Sequence, residues 1–114
     1  MKKIRVLLAI GVFAVSGVCG DYEVADKELN RVYSLVKARL DGGGAKKLTN
    51  AQRAWISFRD LHCDFQALGS EGASAHSIVI EACMTDMAKK RTNELKWFLT
   101  CEEGDLSCPT FASD

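Results

Sequence analysis

The side chains best equipped for chemistry are five cysteines (Cys19, Cys63, Cys83, Cys101 and Cys108) and two histidines (His62 and His76). Three chemistries can be built from such a set: nucleophilic catalysis, metal ligation and disulfide bonding. Catalysis needs a nucleophile, a base and a group that orients the base. His62 falls within an apolar helical stripe, where a partly buried, satisfied histidine is expected, and His76 sits in or beside a loop of small residues. Asp60 and Asp64 are spaced i, i+4 and share a helix face, but such pairs are common solvated decoration. The chain contains no Gly-x-Ser-x-Gly, no phosphate-binding loop and no His-Glu-x-x-His. It therefore reads as a non-enzyme with no catalytic residue. A metal site from His62, Cys63, His76 and Cys83 would lack the closely spaced ligand pair of zinc sites. Neither metal nor cofactor is expected, which leaves disulfides.

The beginning of the chain sets the compartment. Met1–Arg5 is basic, Val6–Val15 is an apolar run of ten residues, and Ser16–Gly20 supplies small residues, with Val18 and Gly20 at the −3 and −1 positions. This is the pattern of a secretory signal peptide over residues 1–20. The apolar run is too short for a transmembrane helix, which needs about 20 residues. A lipidated Cys19 would tether the protein to a membrane, but Val18 stands where that processing wants Gly, Ala or Ser, so a periplasmic or secreted product is expected. Loss of residues 1–20 leaves 12 basic against 15 acidic residues, a net charge of −3. That balance argues against a nucleic-acid partner, whose binding rests on basic surface.

Four cysteines remain in an exported domain spanning 21–114, and four in an oxidising compartment read as two disulfides. Cys83 and Cys101 lie on one predicted helix, about 27 Å apart along its axis, too far to bond. If the second and third helices fold back on each other, Cys63 lies within a turn of Cys83 and far from Cys101. The expected bonds are Cys63–Cys83 and, by elimination, Cys101–Cys108. The first closes a loop worth roughly 3 kcal/mol in the chain-entropy model.

Three helices must position these groups. Asp21–Leu40 carries the stripe Tyr22, Ala25, Leu29, Val32, Val36 and Leu40, with Tyr33 at its edge. Asp41-Gly42-Gly43-Gly44 is predicted to stop it, and Ala45–Lys47 to form a connector. Leu48–Leu68 is the second helix, capped by Thr49 or Asn50. Its predicted core face is Ala51, Ala54, Trp55, Phe58, Leu61, His62, Phe65 and Leu68, with Arg53, Arg59 and Asp60 on its flanks. Gly69–Ser77 is a loop of small residues. The third helix runs from Ala75 or His76 to Leu99, with Ile80, Met84, Met87, Ala88, Arg91, Leu95, Phe98 and Leu99 inward. Arg91 interrupts that stripe and is expected to pair with Asp60 or Glu94. Cys101–Pro109 is a small acidic loop, and Thr110–Asp114 is expected to be loose. No alternating strand pattern occurs. The expected fold is all-α, a small three-helix bundle whose second and third helices form a disulfide-stapled antiparallel hairpin with the first packed across them.

The run Leu48-x-x-Ala51-Gln52-Arg53-Ala54-Trp55-Ile56-x-Phe58-Arg59-Asp60-x-x-Cys63 has a further reading. It is followed by the Gly/Ser loop, Cys83-Met84-Thr85 and Arg91-Thr92-x-x-Leu95, and preceded by Asp26-x-Glu28-Leu29-Asn30-x-x-Tyr33. Together these resemble the LprI-type lysozyme-inhibitor domain across residues 22–99. The resemblance implies a small exported helical domain with a protein partner, a lysozyme or related muramidase. An inhibitor must plug a sugar cleft that carries two carboxylates, and two rigid protrusions offer themselves. The Gly69–Ser77 loop presents Ser70, Ser74, His76 and Ser77 as donors; the Cys101–Cys108 loop presents Glu102, Glu103 and Asp105, which suit the basic rim of a lysozyme. The alternative is an envelope interaction module with a different protein partner and no lysozyme activity. The Cys101–Cys108 loop lies outside the part that matches.

Overall fold

A computed structural model of the protein describes residues 10–111, with side chains over 20–110. The basic Met1–Arg5 segment, the first part of the apolar run and the last three residues lie outside the described residues. Three long helices account for most of the chain: α1 Ile10–Ala38, α2 Gly42–Gln66 and α3 His76–Thr100. Single turns of 3-10 helix follow α2 at Leu68–Ser70 and close the tail at Pro109–Phe111. No described helix is long and apolar enough to cross a membrane.

α1 forms as its stripe dictates. Ala25, Leu29, Val32 and Val36 are buried, Tyr22, Tyr33 and Leu40 half-buried. The helix begins earlier than expected, at Ile10, and ends two residues sooner, at Ala38. It passes unbroken through the Gly20–Asp21 bond at which the sequence places cleavage.

The three glycines that follow do not stop a helix; they start one. Asp41 is extended (φ −74°, ψ 178°) and its carboxylate accepts from the Gly44 amide at 2.7 Å. An aspartate there satisfies an orphan N–H and sits at the positive end of the helix dipole. Glycine fits at 44 because a Cβ would come within 3.3 Å of both Asp41 Oδ1 and Leu40 Cβ. Thr49 and Asn50 are therefore interior residues, as are Ala45–Lys47 and Leu48. Thr49 instead shares a hydrogen bond of 2.9 Å with the Tyr33 hydroxyl.

The contacts fix an up-down-up order. Tyr33–Thr49 and Tyr22–Arg59 make α2 antiparallel to α1, and Gln52–Arg91 and Cys63–Cys83 make it antiparallel to α3. α1 and α3 then run parallel and side by side, rather than with α1 across a hairpin. Asp21 lies beside Thr85, Glu28 beside Lys96, and Arg39 donates to the Leu99 carbonyl at 2.9 Å. Their shared seam is Ala25, Leu29, Val32 and Val36 against Thr85, Ala88, Thr92 and Leu95, spaced by threes and fours on both helices. Thr85 and Thr92 are tolerated inside because each hydroxyl donates to the carbonyl four residues back, at 2.8 Å.

α2 turns a different face inward from the one its apolar residues mark. Gln52, Arg59, Cys63 and Ala67 are buried, with Leu48, Trp55 and His62 half-buried. Ala51, Ala54, Phe58, Leu61, Phe65 and Leu68 face water. The rotation is set by bonds: Cys63 must meet Cys83, Arg59 must reach Tyr22, and Gln52 must reach Arg91. A stripe of four large apolar side chains is left outside.

Both expected disulfides are present, Cys63–Cys83 with Cα atoms 5.6 Å apart and Cys101–Cys108 with 5.7 Å. The tail is anchored at Thr110, which is buried and donates to the Phe98 carbonyl at 2.8 Å, so the expectation of looseness fails there.

Candidate functional site

The motif residues of α2 converge on the other two helices. Arg59, on the flank in the sequence reading, is only 8% exposed. Its Nε and one terminal nitrogen donate to Asp60 Oδ1 at 2.9 and 2.8 Å, and the other terminal nitrogen donates to the Tyr22 hydroxyl at 3.1 Å. The guanidinium lies over the Trp55 and Tyr22 rings, 5.4 and 5.9 Å from their centroids, so aromatic faces replace part of its lost water. Burial raises the Tyr22 hydroxyl above the ordinary tyrosine range, against the opposing pull of Arg59. Two turns back along α2, Gln52 Oε1 accepts from Arg91 at 2.9 Å, and Arg91 also donates to Glu94 at 3.0 Å. The expected Glu94 pair is present; Asp60 is taken by Arg59, and Gln52 is the partner that the sequence did not announce. Gln52, Trp55, Arg59, Asp60 and Cys63 are thus consumed in holding α2 to α1 and α3.

Elsewhere, Glu28 bridges the parallel pair. It accepts twice from Arg31 at 2.8 Å and lies 3.6 Å from Lys96. The hydrogen bonds from Arg31 hold its carboxyl down to about 2.

The predicted partner-binding residues fall into two groups at opposite ends of α3, which spans about 37 Å. At one end, the turn between α2 and α3 draws Ser70 and His76 together. Ser70 Oγ donates to the Ala67 carbonyl and meets His76 Nδ1, both at 2.9 Å. When the single hydroxyl proton goes to Ala67, Nδ1 must donate the second bond, which leaves Nε2 as an acceptor for an outside partner. Gly72 sits at φ 82°, the left-handed conformation that lets the chain reverse here. Ser74 and Ser77 are exposed beside this pair, and the Cys63–Cys83 bond braces the turn from beneath. His62 lies one turn back in α2, stacked on Phe58 at 5.3 Å.

At the other end, the Cys101–Cys108 loop exposes Glu102, Glu103 and Asp105. Asp105 accepts from the Ser107 hydroxyl and amide at 2.7 and 2.9 Å, which lowers its pKa from the ordinary carboxylate value. Leu106, beside it, is fully exposed at 101%. The two groups do not form one surface. Near this end a cleft of about 540 Å³ opens between Leu40, Leu48, Phe98 and Pro109, a feature with no motif in the sequence to mark it. Among the described residues no group of three metal-ligating side chains comes together.

The arrangement offers partner-binding chemistry at either end and a disulfide-braced body between. Two disulfides place the chain in an oxidising compartment. Over residues 17–95 it matches the family described as lysozyme inhibitor LprI, a family of inhibitors and not of enzymes. A protein of Rhizobium meliloti (strain 1021), named Uncharacterized protein R02472, is 33% identical over 96 residues, 73% of this chain and 69% of that one. No solved structure matches the chain. With a match that covers most of its length and the helices and stapling disulfide in place, this chain belongs to the LprI lysozyme inhibitor family.

Proposed function

We propose that the protein is an exported inhibitor that binds and blocks a lysozyme or related muramidase through the α2–α3 turn. The observation that carries this reading is the family match over residues 17–95. The turn suits a sugar cleft because it is narrow, braced by Cys63–Cys83, and carries Ser70, Ser74, His76 and Ser77 within one short segment. The exposed Ser74 and Ser77 hydroxyls can donate to a carboxylate of such a cleft, and His76 Nε2, an acceptor, can take the proton of the carboxyl that is the general acid. A rigid protrusion also loses little conformational freedom on binding. The acidic Cys101–Cys108 loop lies at the far end of the molecule, so Glu102, Glu103 and Asp105 would serve a separate contact with a basic surface.

The reading includes export by residues 1–20 as a signal peptide and release into the periplasm or the medium, with a lipidated Cys19 as the only route to membrane attachment. The test is a muramidase assay with the exported, oxidised protein against a panel of lysozyme classes. Inhibition at micromolar concentration that disappears on reduction of the disulfides is the expected result. No inhibition of any class overturns the proposal.

A second reading is an envelope interaction module that binds a different protein. It is favoured by one observation: of the residues that carry the family likeness, Gln52, Trp55, Arg59 and Cys63 are spent on internal packing, and Asp60 on pairing with Arg59. Likeness at such positions speaks for a shared fold more than a shared target. Recovery of a partner other than lysozyme, with lysozyme activity untouched, would establish it.

A further inference from the structure

The outward stripe of α2 has the spacing of a helix-pairing seam. Ala51, Ala54, Phe58, Leu61 and Phe65 follow steps of three, four, three and four along α2, a strict heptad alternation, and Leu68 follows in the 3-10 turn beyond its end. Phe58, Leu61, Phe65 and Leu68 are 57, 71, 71 and 58% exposed. Scattered surface leucines need no explanation, but a contiguous apolar stripe rimmed by polar residues marks an interaction surface.

We propose that this stripe is a homodimer interface, in which α2 pairs antiparallel with α2 of a second copy about a twofold axis near residues 59 and 60. The evidence is self-complementarity. An antiparallel seam sets the two heptad positions opposite each other, so Phe58 meets Leu61 of the second copy and Ala54 meets its Phe65. Small faces large in the outer layer, and the axis repeats each pair. The flanks agree. Trp55 lies opposite His62 on one side; on the other, Ser57 lies opposite Asp64. No like charges face each other, which a symmetric contact must avoid.

The four large side chains leave roughly 450 Å² per chain in water, so pairing removes at most roughly 900 Å² from them, and the flanking Trp55, Ser57, His62 and Asp64 must supply the rest of the roughly 1,000 Å² that a specific interface needs. The seam lies roughly a third of a turn from the buried face of α2, so a partner helix does not meet α1 or α3. The proposal is independent of the lysozyme reading: both α2–α3 turns project from opposite ends of the pair.

Sedimentation equilibrium of the oxidised, exported protein, from micromolar to sub-millimolar concentration, tests it. A reversible monomer–dimer equilibrium is expected. Leu61→Glu should weaken it by roughly 100-fold, since a symmetric interface loses each contact twice, with circular dichroism and both disulfides unchanged because Leu61 is exposed. The register is tested by mixing Phe58→Glu with Leu61→Lys: neither variant self-associates, and the mixture forms a heterodimer. Wild-type protein that stays monomeric throughout overturns the proposal. So does a dimer that Leu61→Glu leaves intact, or a mixture that stays monomeric.

Discussion

Arg59 carries its charge into the helix interface, and the surroundings are fitted to it: Asp60 neutralises it, Tyr22 accepts from it, and two aromatic rings stack on it. Asp60 is itself 56% exposed in its side chain, so the ion pair is half-solvated and worth little alone. The packing of the long side chain and the bond that ties α2 to α1 matter more. Arg59→Ala should therefore cost about 2–3 kcal/mol of unfolding free energy, whereas Asp60→Asn should cost under about 1 kcal/mol. Denaturant unfolding of both variants with the disulfides intact checks the order; equal losses would mean that the charge pair dominates. The sequence placed Arg59 on the flank of α2 in a structural role, but its burial and its Tyr22 partner were not legible: it directly follows Phe58 of the apolar stripe, and only the spacing Gln52, Trp55, Arg59, Cys63, itself a face of a helix, hinted at a second stripe.

At the scale of the elements, α1 was legible because its apolar and charged faces separate cleanly: every residue named for its stripe is buried or half-buried. α3 was legible in its bounds, but Thr85 and Thr92 escaped notice, since a threonine enters a core only when its hydroxyl bonds back to its own helix. α2 misled twice. Its apolar side chains mark the face it shows to water, and its first turn is built of residues that usually end helices. The signal at its start was Asp41 three residues before Gly44, a cap with its N–H in reach. The glycines there differ in role, and substitution separates them. Gly42 has open space around a Cβ, so Gly42→Ala should stabilise by about 0.5–1 kcal/mol through loss of unfolded-state freedom. Gly72 has φ 82°, so Gly72→Ala should destabilise by about 1 kcal/mol or more. Thermal unfolding of the two variants reads the opposite signs; a loss of stability at Gly42 would contradict the early start of α2.

For the molecule as a whole, two disulfides and the parallel α1–α3 seam hold a frame whose two ends differ in chemistry. One end is a tight turn of small polar residues with Glu71 as its one charge; the other is more acidic, with Leu106 at its surface. The candidate residues of both ends were legible as loops rich in small or acidic residues between helices, yet their separation was not, because it depends on the length and straightness of α3. That separation makes the functional proposal specific: one lysozyme cleft can receive one end only. Amide chemical-shift mapping of the oxidised protein, labelled with nitrogen-15 and titrated with a lysozyme that it inhibits, tests this most directly. The account predicts perturbations concentrated between Leu68 and Ser77, with Glu102, Glu103 and Asp105 unmoved. Perturbations confined to the Cys101–Cys108 loop, or a spectrum that no lysozyme changes, would contradict it.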